Sequence, residues 1–538
     1  MKRVIFLFAF SFLLNSCSLI FKFQGKEGDA DVGEDMGLYE FSDLEVSDYD
    51  VLNDRMEVLP DKNSNDYEKA EIEEVEIEIP PTCGNGNVDE GEECDDWRNG
   101  NPDDGCKDDC TFSCHSNDEC DDGHDCTSNL CITSTHTCNF SFLLSGTICR
   151  PSGGDCDVAE YCDGVNPDWP PDITGLSGVS AISAGGSHTC ALMSSDGVKC
   201  WGYNSNGQVG DGTYGNTRTT PVDVSGLSSG VSAISAGWRH TCAITTTGGA
   251  KCWGYNNLGQ VGDGSTINRT TPVDVLGLIS GVSAISAGGH FTCALTSGGG
   301  VKCWGSNENG QLGNGRSGSG EKSNTPVDVS GLSSGVSAIS AGNSHTCALL
   351  NSGGVKCWGD NQYGQIGDGT NIDRNTPANV LGISSDVIAI SAGDYHTCAL
   401  LISGGVKCWG KGDYGQLGNG SSGDSNTPVN VQGLLSGVSA ISAGGEHTCA
   451  LLSSGGVQCW GSNENGQLGN GRSGYGEKSD TPVDVSGLSS GVLAISAGNS
   501  HTCALLNSGE VKCWGGNSFG QLGDQTTELR TTPVSVCP

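Results

Sequence analysis

Residues 178–202 read GVSAISAGGSHTCALMSSDGVKCWG, and close copies of this stretch occur six more times before the chain ends at Pro538. Short runs of Ala, Val, Leu and Ile alternate with turns of Gly, Ser and Asn, a pattern typical of strands joined by tight turns. Successive copies are 51 to 54 residues apart, a period that predicts about four strands per unit. The copies are marked by Trp-Gly pairs at Trp201, Trp253, Trp304, Trp358, Trp409, Trp460 and Trp514.

Seven such units predict an all-β fold in which residues 173–538 form a seven-bladed β-propeller. Closing the units into a ring leaves only short strand edges exposed. The alternative is an open solenoid, which would have two unprotected ends. The third and sixth units share a longer loop, residues 316–322 and 472–478, which indicates that a block of three units was duplicated. Such a duplication favours a scaffold with repeating faces over a single specialised pocket.

Each unit also contains two cysteines separated by ten residues. A strand, a turn and a returning strand would place two such residues opposite each other, within the reach of a disulfide bond. We therefore predict one cross-strand disulfide in every blade, with reduced, packed cysteines or a metal site as the alternatives. The predicted pairs are Cys190–Cys200, Cys242–Cys252, Cys293–Cys303, Cys347–Cys357, Cys398–Cys408, Cys449–Cys459 and Cys503–Cys513.

The N-terminus indicates export. The chain has 28 cysteines, which are best accommodated as disulfides in an oxidising compartment. Lys2 and Arg3 precede an apolar run too short to span a bilayer, which is typical of a signal peptide over residues 1–16. The end of this run, Leu-Asn-Ser-Cys17, resembles the lipobox of bacterial lipoproteins. That resemblance implies lipidation at Cys17 and, because Ser18 follows, an outer-membrane or cell-surface location. The alternative is an ordinary cleaved signal peptide with Cys17 unmodified.

Residues 17–82 form an acidic linker that we expect to be disordered, because it has too little apolar surface to offset the entropy cost of ordering. The whole chain has a formal charge of −38, which excludes nucleic acid as a partner. It also limits membrane contact to the expected lipid anchor, since anionic lipid would repel the protein.

Residues 83–172 contain twelve cysteines and few aliphatic residues, so this module needs covalent bonds or ions to hold one shape. Its beginning, CGNGNVDEGEECD at residues 83–95, resembles the start of the disintegrin domain of animal metalloproteases and snake venoms. It also resembles cysteine-rich repeats in predatory soil bacteria. The resemblance implies a Ca²⁺ site, whose hard oxygen ligands this acidic sequence can supply. A solvated acidic surface is the alternative. The implied ligands are Asn85, Asp89, Glu92 and Asp95, with Asp157, Glu160 and Asp172 as a second set.

Six repeats place a histidine before Thr-Cys, at residues 188, 240, 345, 396, 447 and 501. A metal site is the alternative, but the third repeat has Phe291 there, which can pack but cannot bind a metal, and its histidine, His290, lies one residue earlier. We therefore predict structural histidines. The chain contains no nucleophile elbow, phosphate loop or zinc-binding His-Glu helix, and we expect no enzymatic activity.

The repeat Ser-Ala-Gly, His-Thr-Cys-Ala-Leu, Cys-Trp-Gly and Gly-Gln-Leu-Gly resembles that of the regulator of chromosome condensation family. The family implies a seven-bladed propeller, but a shared fold does not set function. We expect an envelope lipoprotein whose propeller loops bind a protein or glycan as a non-catalytic interaction or adhesion scaffold. The alternative is an inhibitor or regulator of an envelope enzyme. A nucleotide-exchange activity is disfavoured, since an exported protein would not meet a cytosolic GTPase.

Overall fold

The computed structural model describes residues 175–538 apart from Asn216, together with four short strands before them. These are β1 (Thr127–Ile132), which pairs with β2 (Thr137–Phe142), and β3 (Ile148–Arg150), which pairs with β4 (Glu160–Tyr161). The predicted signal peptide, Cys17 and the acidic linker lie outside the described residues. Within the described part, no helix has the length and apolarity that crossing a membrane requires.

Residues 179–535 form seven antiparallel sheets of four strands each, and the strands of each sheet follow one another in the chain. Blade 1 contains β5 (Val179–Ala184), β6 (His188–Met193), β7 (Val198–Gly202) and β8 (Arg218–Asp223). Blade 2 contains β9 (Val231–Ala236), β10 (His240–Thr245), β11 (Ala250–Gly254) and β12 (Arg269–Asp274). Blade 3 contains β13 (Val282–Ala287), β14 (Phe291–Thr296), β15 (Val301–Ser306) and β16 (Lys322–Asp328).

The remaining four blades repeat this order. Blade 4 contains β17 (Val336–Ala341), β18 (His345–Leu350), β19 (Val355–Gly359) and β20 (Arg374–Asn379). Blade 5 contains β21 (Val387–Ala392), β22 (His396–Leu401), β23 (Val406–Gly410) and β24 (Ser425–Asn430). Blade 6 contains β25 (Val438–Ala443), β26 (His447–Leu452), β27 (Val457–Ser462) and β28 (Lys478–Asp484). Blade 7 contains β29 (Val492–Ala497), β30 (His501–Leu506), β31 (Val511–Gly515) and β32 (Arg530–Ser535).

The blades close into a ring around a central channel, with the first strand of each blade innermost and in contact with the first strands of its neighbours. Leu176, which lies before the first blade, contributes to closure. Its amide donates to Val536 O at 2.5 Å, and its carbonyl accepts from Val511 N at 3.3 Å. In blade 1 the corresponding residue is Leu227, whose carbonyl accepts from Val198 N in the same way. The propeller prediction is confirmed, and the open solenoid is wrong.

The apolar core lies between the blades rather than at the centre of the ring. Trp253 of blade 2, for example, is fully buried against the disulfide and the Val and Leu side chains of blade 1. Its indole Nε1 donates to Gln208 O of blade 1 at 2.9 Å. All seven repeated tryptophans make this bond, and Trp201 closes the ring by donating to Gln521 O of blade 7. Each blade is therefore completed by its neighbour.

Each blade contains the disulfide that the ten-residue spacing predicts. The two cysteines of a pair face each other on the second and third strands, with Cα atoms 4.1 Å apart, and their side chains are fully buried. Cys537, whose role the repeat pattern does not predict, is also disulfide-bonded.

The glycine of Cys-Trp-Gly is required by its backbone. Gly202 has a φ of 102°, which side chains rarely adopt, and an added Cβ would lie 2.6 Å from Ser187 O. Here the third strand passes closely over the loop that connects the first two strands.

Candidate functional site

The strand register divides the propeller loops into two sets. In blade 1, His188 lies opposite Gly202, and Gly202 lies opposite Arg218, so these residues share one end of the sheet. The loops after the first and third strands of every blade therefore start and finish at this end, which we call the loop face. The loops after the second and fourth strands start and finish at the other end, which we call the turn face.

The two loops of the loop face are tied together in every blade. In blade 1, Tyr203 N donates to Ser187 O at 2.8 Å, and the other six blades have the same bond. The longer loop is fixed internally as well. Asp211 pairs with Arg218 at 2.5 Å and accepts the Thr213 hydroxyl at 2.7 Å. Burial alone would raise the pKa of Asp211, but these hydrogen bonds hold its pKa below the usual value. Three other aspartates form the equivalent ion pair with the arginine of their own loop: Asp263, Asp368 and Asp524.

A ring of buried histidines lies just below the loop face. His188 Nε2 contacts Thr241 Oγ1 of blade 2 at 2.8 Å. The Thr241 hydroxyl gives its one hydrogen to Gln208 O, so His188 must be the donor at Nε2. Its Nδ1 then carries a lone pair and has no hydrogen-bond partner in the described part of the protein. Burial, together with His501, lowers the pKa of His188 to about 3, so the ring is neutral.

The histidines link neighbouring blades rather than meeting at a metal. The bond recurs from blades 2, 4, 5 and 6 to the next blade, and His501 closes the ring onto Thr189. Blade 3 lacks this bond, because Phe291 takes the place of the histidine. The phenyl side chain of Phe291 is fully buried in the apolar core instead. No group of three or more potential metal ligands is present among the described residues.

The near-identical repeats can be compared with one another, and their differences concentrate on the loop face. The spacing from the proline of each fourth strand to the next repeated tryptophan is always 32 residues, as from Pro221 to Trp253. The spacing from tryptophan to proline varies from 19 to 22 residues, and this segment contains the loop after the third strand. All variation in repeat length therefore falls on one face.

The same face varies in chemistry where the central channel opens. The residue after Ser-Ala-Gly differs between blades, and four of the seven are not glycine: Trp238, Asn343, Asp394 and Asn499. These four side chains lie with the Ser-Ala-Gly segments around the channel, and we call this ring the channel mouth. Asn499 Nδ2 donates to Asp394 Oδ2 at 2.8 Å. Burial and the nearby Glu446 raise the pKa of Asp394 to about 7.

Blade 5 contains a second unusual group beside Asp394. Lys411 forms an ion pair with Glu446 of blade 6 at 2.8 Å. Three tyrosine rings surround the same ammonium group, with centroids 4.9 to 5.5 Å from Nζ. These rings belong to Tyr363, Tyr395 and Tyr414. Burial would lower the pKa of Lys411, but the bond and charge of Glu446 outweigh it and raise this pKa. The lysine is therefore a fixed cation.

Aromatic contacts continue around the face. Tyr203 of blade 1 packs edge-on against Phe519 of blade 7, with ring centroids 4.7 Å apart. Trp238 contacts the His290 ring at 5.2 Å, and the Arg239 guanidinium lies 5.3 Å from the Trp238 ring centroid. Trp238 nevertheless keeps 39% of its surface exposed.

Comparison with known proteins identifies the family. A family model described as the RCC1-like domain matches residues 153–486, more than half of the chain. The chain belongs to the RCC1-like family. A model of the single RCC1 repeat also matches residues 492–521.

Two relatives match about two thirds of the chain. Ultraviolet-B receptor UVR8 of Arabidopsis thaliana is 33% identical over 367 residues, which are 66% of this chain and 81% of the receptor. E3 ubiquitin-protein ligase HERC2 of Homo sapiens is 32% identical over 365 residues, 66% of this chain but 7% of the ligase.

Solved structures show the same fold at lower identity. Human WBSCR16 matches with a TM-score of 0.57 and 23% identity, covering 64% of this chain and 94% of that one. Prp20p of Saccharomyces cerevisiae matches with a TM-score of 0.56 and 21% identity, covering 67% and 88%. A further match is yeast RCC1 (Prp20) in a crystal with Kap60. RCC1-like propellers mediate protein interactions.

The predicted calcium ligands cannot be placed beside this site. Asn85, Asp89, Glu92, Asp95, Asp157 and Asp172 lie outside the described residues, and only the backbone of Glu160 is described. Asp394, Lys411 and Glu446 were not predicted from the sequence. The signal that could have found them was their departure from an otherwise constant repeat.

Proposed function

We propose that the protein is an exported, lipid-anchored, non-catalytic scaffold that binds a protein partner through the loop face of its propeller. The strands, disulfides and interblade tryptophans supply a rigid ring that is nearly the same in every blade. The loop face supplies the chemistry that differs from blade to blade.

The distribution of aromatic residues carries this proposal. Outside the Cys-Trp-Gly motifs the propeller has ten aromatic residues, and nine of them belong to loops of the loop face. The tenth is Phe291, which is buried. Protein interfaces are enriched in Tyr, Trp and Phe, which bury large areas with few rotatable bonds. The nine are Tyr203, Tyr214, Trp238, Tyr255, Tyr363, Tyr395, Tyr414, Tyr475 and Phe519.

The disulfides support the exported location. All fourteen cysteines of the seven blade pairs are fully buried and bonded, and such bonds persist in oxidising compartments. Mass measurement of the mature N-terminus tests the anchor, because lipidation at Cys17 adds acyl chains to a defined first residue. A mature protein that starts elsewhere, without lipid, would remove the anchor from the proposal.

Site-specific photo-crosslinking in the producing cells tests the interaction face. A photoreactive phenylalanine analogue replaces Tyr475, which is fully exposed on the loop face, or Ile402, which is 75% exposed on the turn face. We expect a discrete protein adduct from position 475 and none from position 402. Adducts from position 402 alone, or from neither position, would reject the loop face as the binding surface.

The adduct also separates the proposed scaffold from an enzyme inhibitor. A single envelope enzyme, bound in a one-to-one complex and losing activity on binding, would favour the inhibitor. A structural or surface protein would favour the scaffold.

A further inference from the structure

Asp394 is the one acid among the seven residues that follow Ser-Ala-Gly, and it faces the channel mouth. A carboxylate at this position is costly, because it is partly buried and lies near a second acid, Glu446. The other six blades fill the position with Gly, Asn or Trp, so the ring closes without an acid here. The fold does not require Asp394.

The protein itself leaves the charge of Asp394 poorly compensated. An ionised carboxylate has about four acceptor sites. Within the described residues the one side chain that donates to Asp394 is Asn499, a neutral amide. Lys411 is the nearby cation, but it is bonded to Glu446 and surrounded by three tyrosines. Burial holds this lysine in place, so it remains the partner of Glu446.

The surroundings leave room for an incoming cation and favour its approach. The channel wall next to Asp394 consists of Ser, Ala and Gly from the inner strands, with Asn343 and Trp238 at the rim. The loops of this face, with the first residue of each fourth strand, contain 15 acids and 10 bases. A positively charged group would therefore be attracted to the face before it reached the mouth.

We propose that the channel mouth is a cation-binding pocket in which Asp394 accepts the guanidinium or ammonium group of an Arg or Lys side chain from the protein partner. The proposal rests on the proposed function and specifies the chemistry of the partner. Asn499 fixes the carboxylate, and the charges of the Lys411–Glu446 pair act on it from nearby.

Ligand-observed saturation-transfer NMR on the full chain at pH 8 tests this pocket with acetyl-Gly-Arg-Gly-amide as the probe. The matched uncharged probe has citrulline in place of arginine. We expect binding of the arginine peptide at least about tenfold tighter than that of the citrulline peptide, the difference of a charge-assisted contact. Equal binding, or no binding of the arginine peptide, would overturn the proposal.

Two variants locate the effect. Asp394→Asn should weaken arginine-peptide binding by about tenfold. Asp413 is an exposed acid of the same blade, and Asp413→Asn should leave the binding unchanged.

A pH series on the unaltered protein provides a measurement that does not depend on a variant folding. The titratable groups facing Asp394 are Glu446, Lys411 and Tyr395. Binding should weaken as pH falls from 8 to 6, since Asp394 gains a proton near pH 7. Binding that is independent of pH, or unchanged in Asp394→Asn, would reject the pocket.

The crosslinking experiment at Tyr475 does not involve Asp394. A crosslinked partner together with a failed peptide test would leave the scaffold in place and remove the pocket. Loss of both would remove the proposed function as well.

Discussion

The two ends of the same strands differ in this molecule. On the turn face, the loops after the second strands have four residues in every blade, and those after the fourth strands have seven in blades 1 to 6. The turn-face loops contain no aromatic residue, and their exposed apolar side chains are aliphatic, such as Ile279 and Ile402. On the loop face, loops vary in length and carry nine aromatic residues, an ion pair in a tyrosine cage and a raised-pKa acid.

This difference separates the shared scaffold from the proposed binding surface. Seven copies of one unit that pack in the same way experience the same physical constraints. Positions that all copies share are therefore explained by packing. Where equivalent positions pack in the same way but carry different residues, packing does not determine the residue. Selection for function can act on those positions.

The largest expected effect is the loss of folding stability at acidic pH, caused by the ring of buried histidines beneath the loop face. Six histidines are neutral and buried with pKa values of about 3 to 4, while an unfolded histidine has a pKa near 6.5. The unfolded state binds more protons below pH 6.5. Stability is therefore full above pH 6.5 and falls as the pH drops toward 4, by about 1.4 kcal/mol per histidine per pH unit.

Denaturant unfolding at pH 7, 6 and 5 measures this slope, and blade 3 supplies the matched control. His447→Phe copies the natural Phe291 and should reduce the slope by about one proton, whereas Phe291→His should increase it by about one. Slopes that are the same in both variants would show that the histidines do not govern acid stability.

Substitutions of two tryptophans in blade 2 test the difference between the shared core, which contains Trp253, and the variable loop face, which contains Trp238. Trp253→Ala removes a fully buried ring between blades and should lower the free energy of unfolding by about 3–5 kcal/mol. Trp238→Ala removes a partly exposed ring and should cost less than about 1 kcal/mol. Partner crosslinking should fall with Trp238→Ala. A large stability loss in that variant would place Trp238 in the scaffold instead.

The blade disulfides should contribute less than the tryptophans, since each closes a short loop. Replacing Cys449 and Cys459 by Ala should lower the free energy of unfolding by about 2–3 kcal/mol. Chemical unfolding measures the loss, and crosslinking at Tyr475 serves as the control, because the loop face should keep its partner. An unchanged stability would show that packing alone holds the blade.

The smallest effect has the opposite sign and concerns Asp394. Its pKa of about 7 in the folded state exceeds the unfolded value of 3.8, so ionisation opposes folding. Asp394→Asn should therefore stabilise the protein at pH 8, on the order of 1–3 kcal/mol, with the gain growing between about pH 4 and 7. Asp413→Asn should change little. Destabilisation by Asp394→Asn would mean that Asp394 is structural.

The sequence alone predicted the ring and its disulfides because both depend on short-range spacing. Two cysteines ten residues apart can be paired from strand geometry, and seven equal units can be counted. It also showed that Phe291 replaces a histidine, which favoured structural histidines over a metal site. It did not show that His188 bonds Thr241, because that contact crosses from one blade to the next.

Local periodicity thus determined the number of blades, the strands within each blade and the position of every blade cysteine pair. Only the closed tertiary structure decided which of the differing residues meet. Asp394 and Asn499 are 105 residues apart in the chain, and they are bonded because blades 5 and 7 both contribute to one narrow channel. A repeat sequence specifies its own unit, but a site shared by several units exists only once the ring has brought them around a common axis.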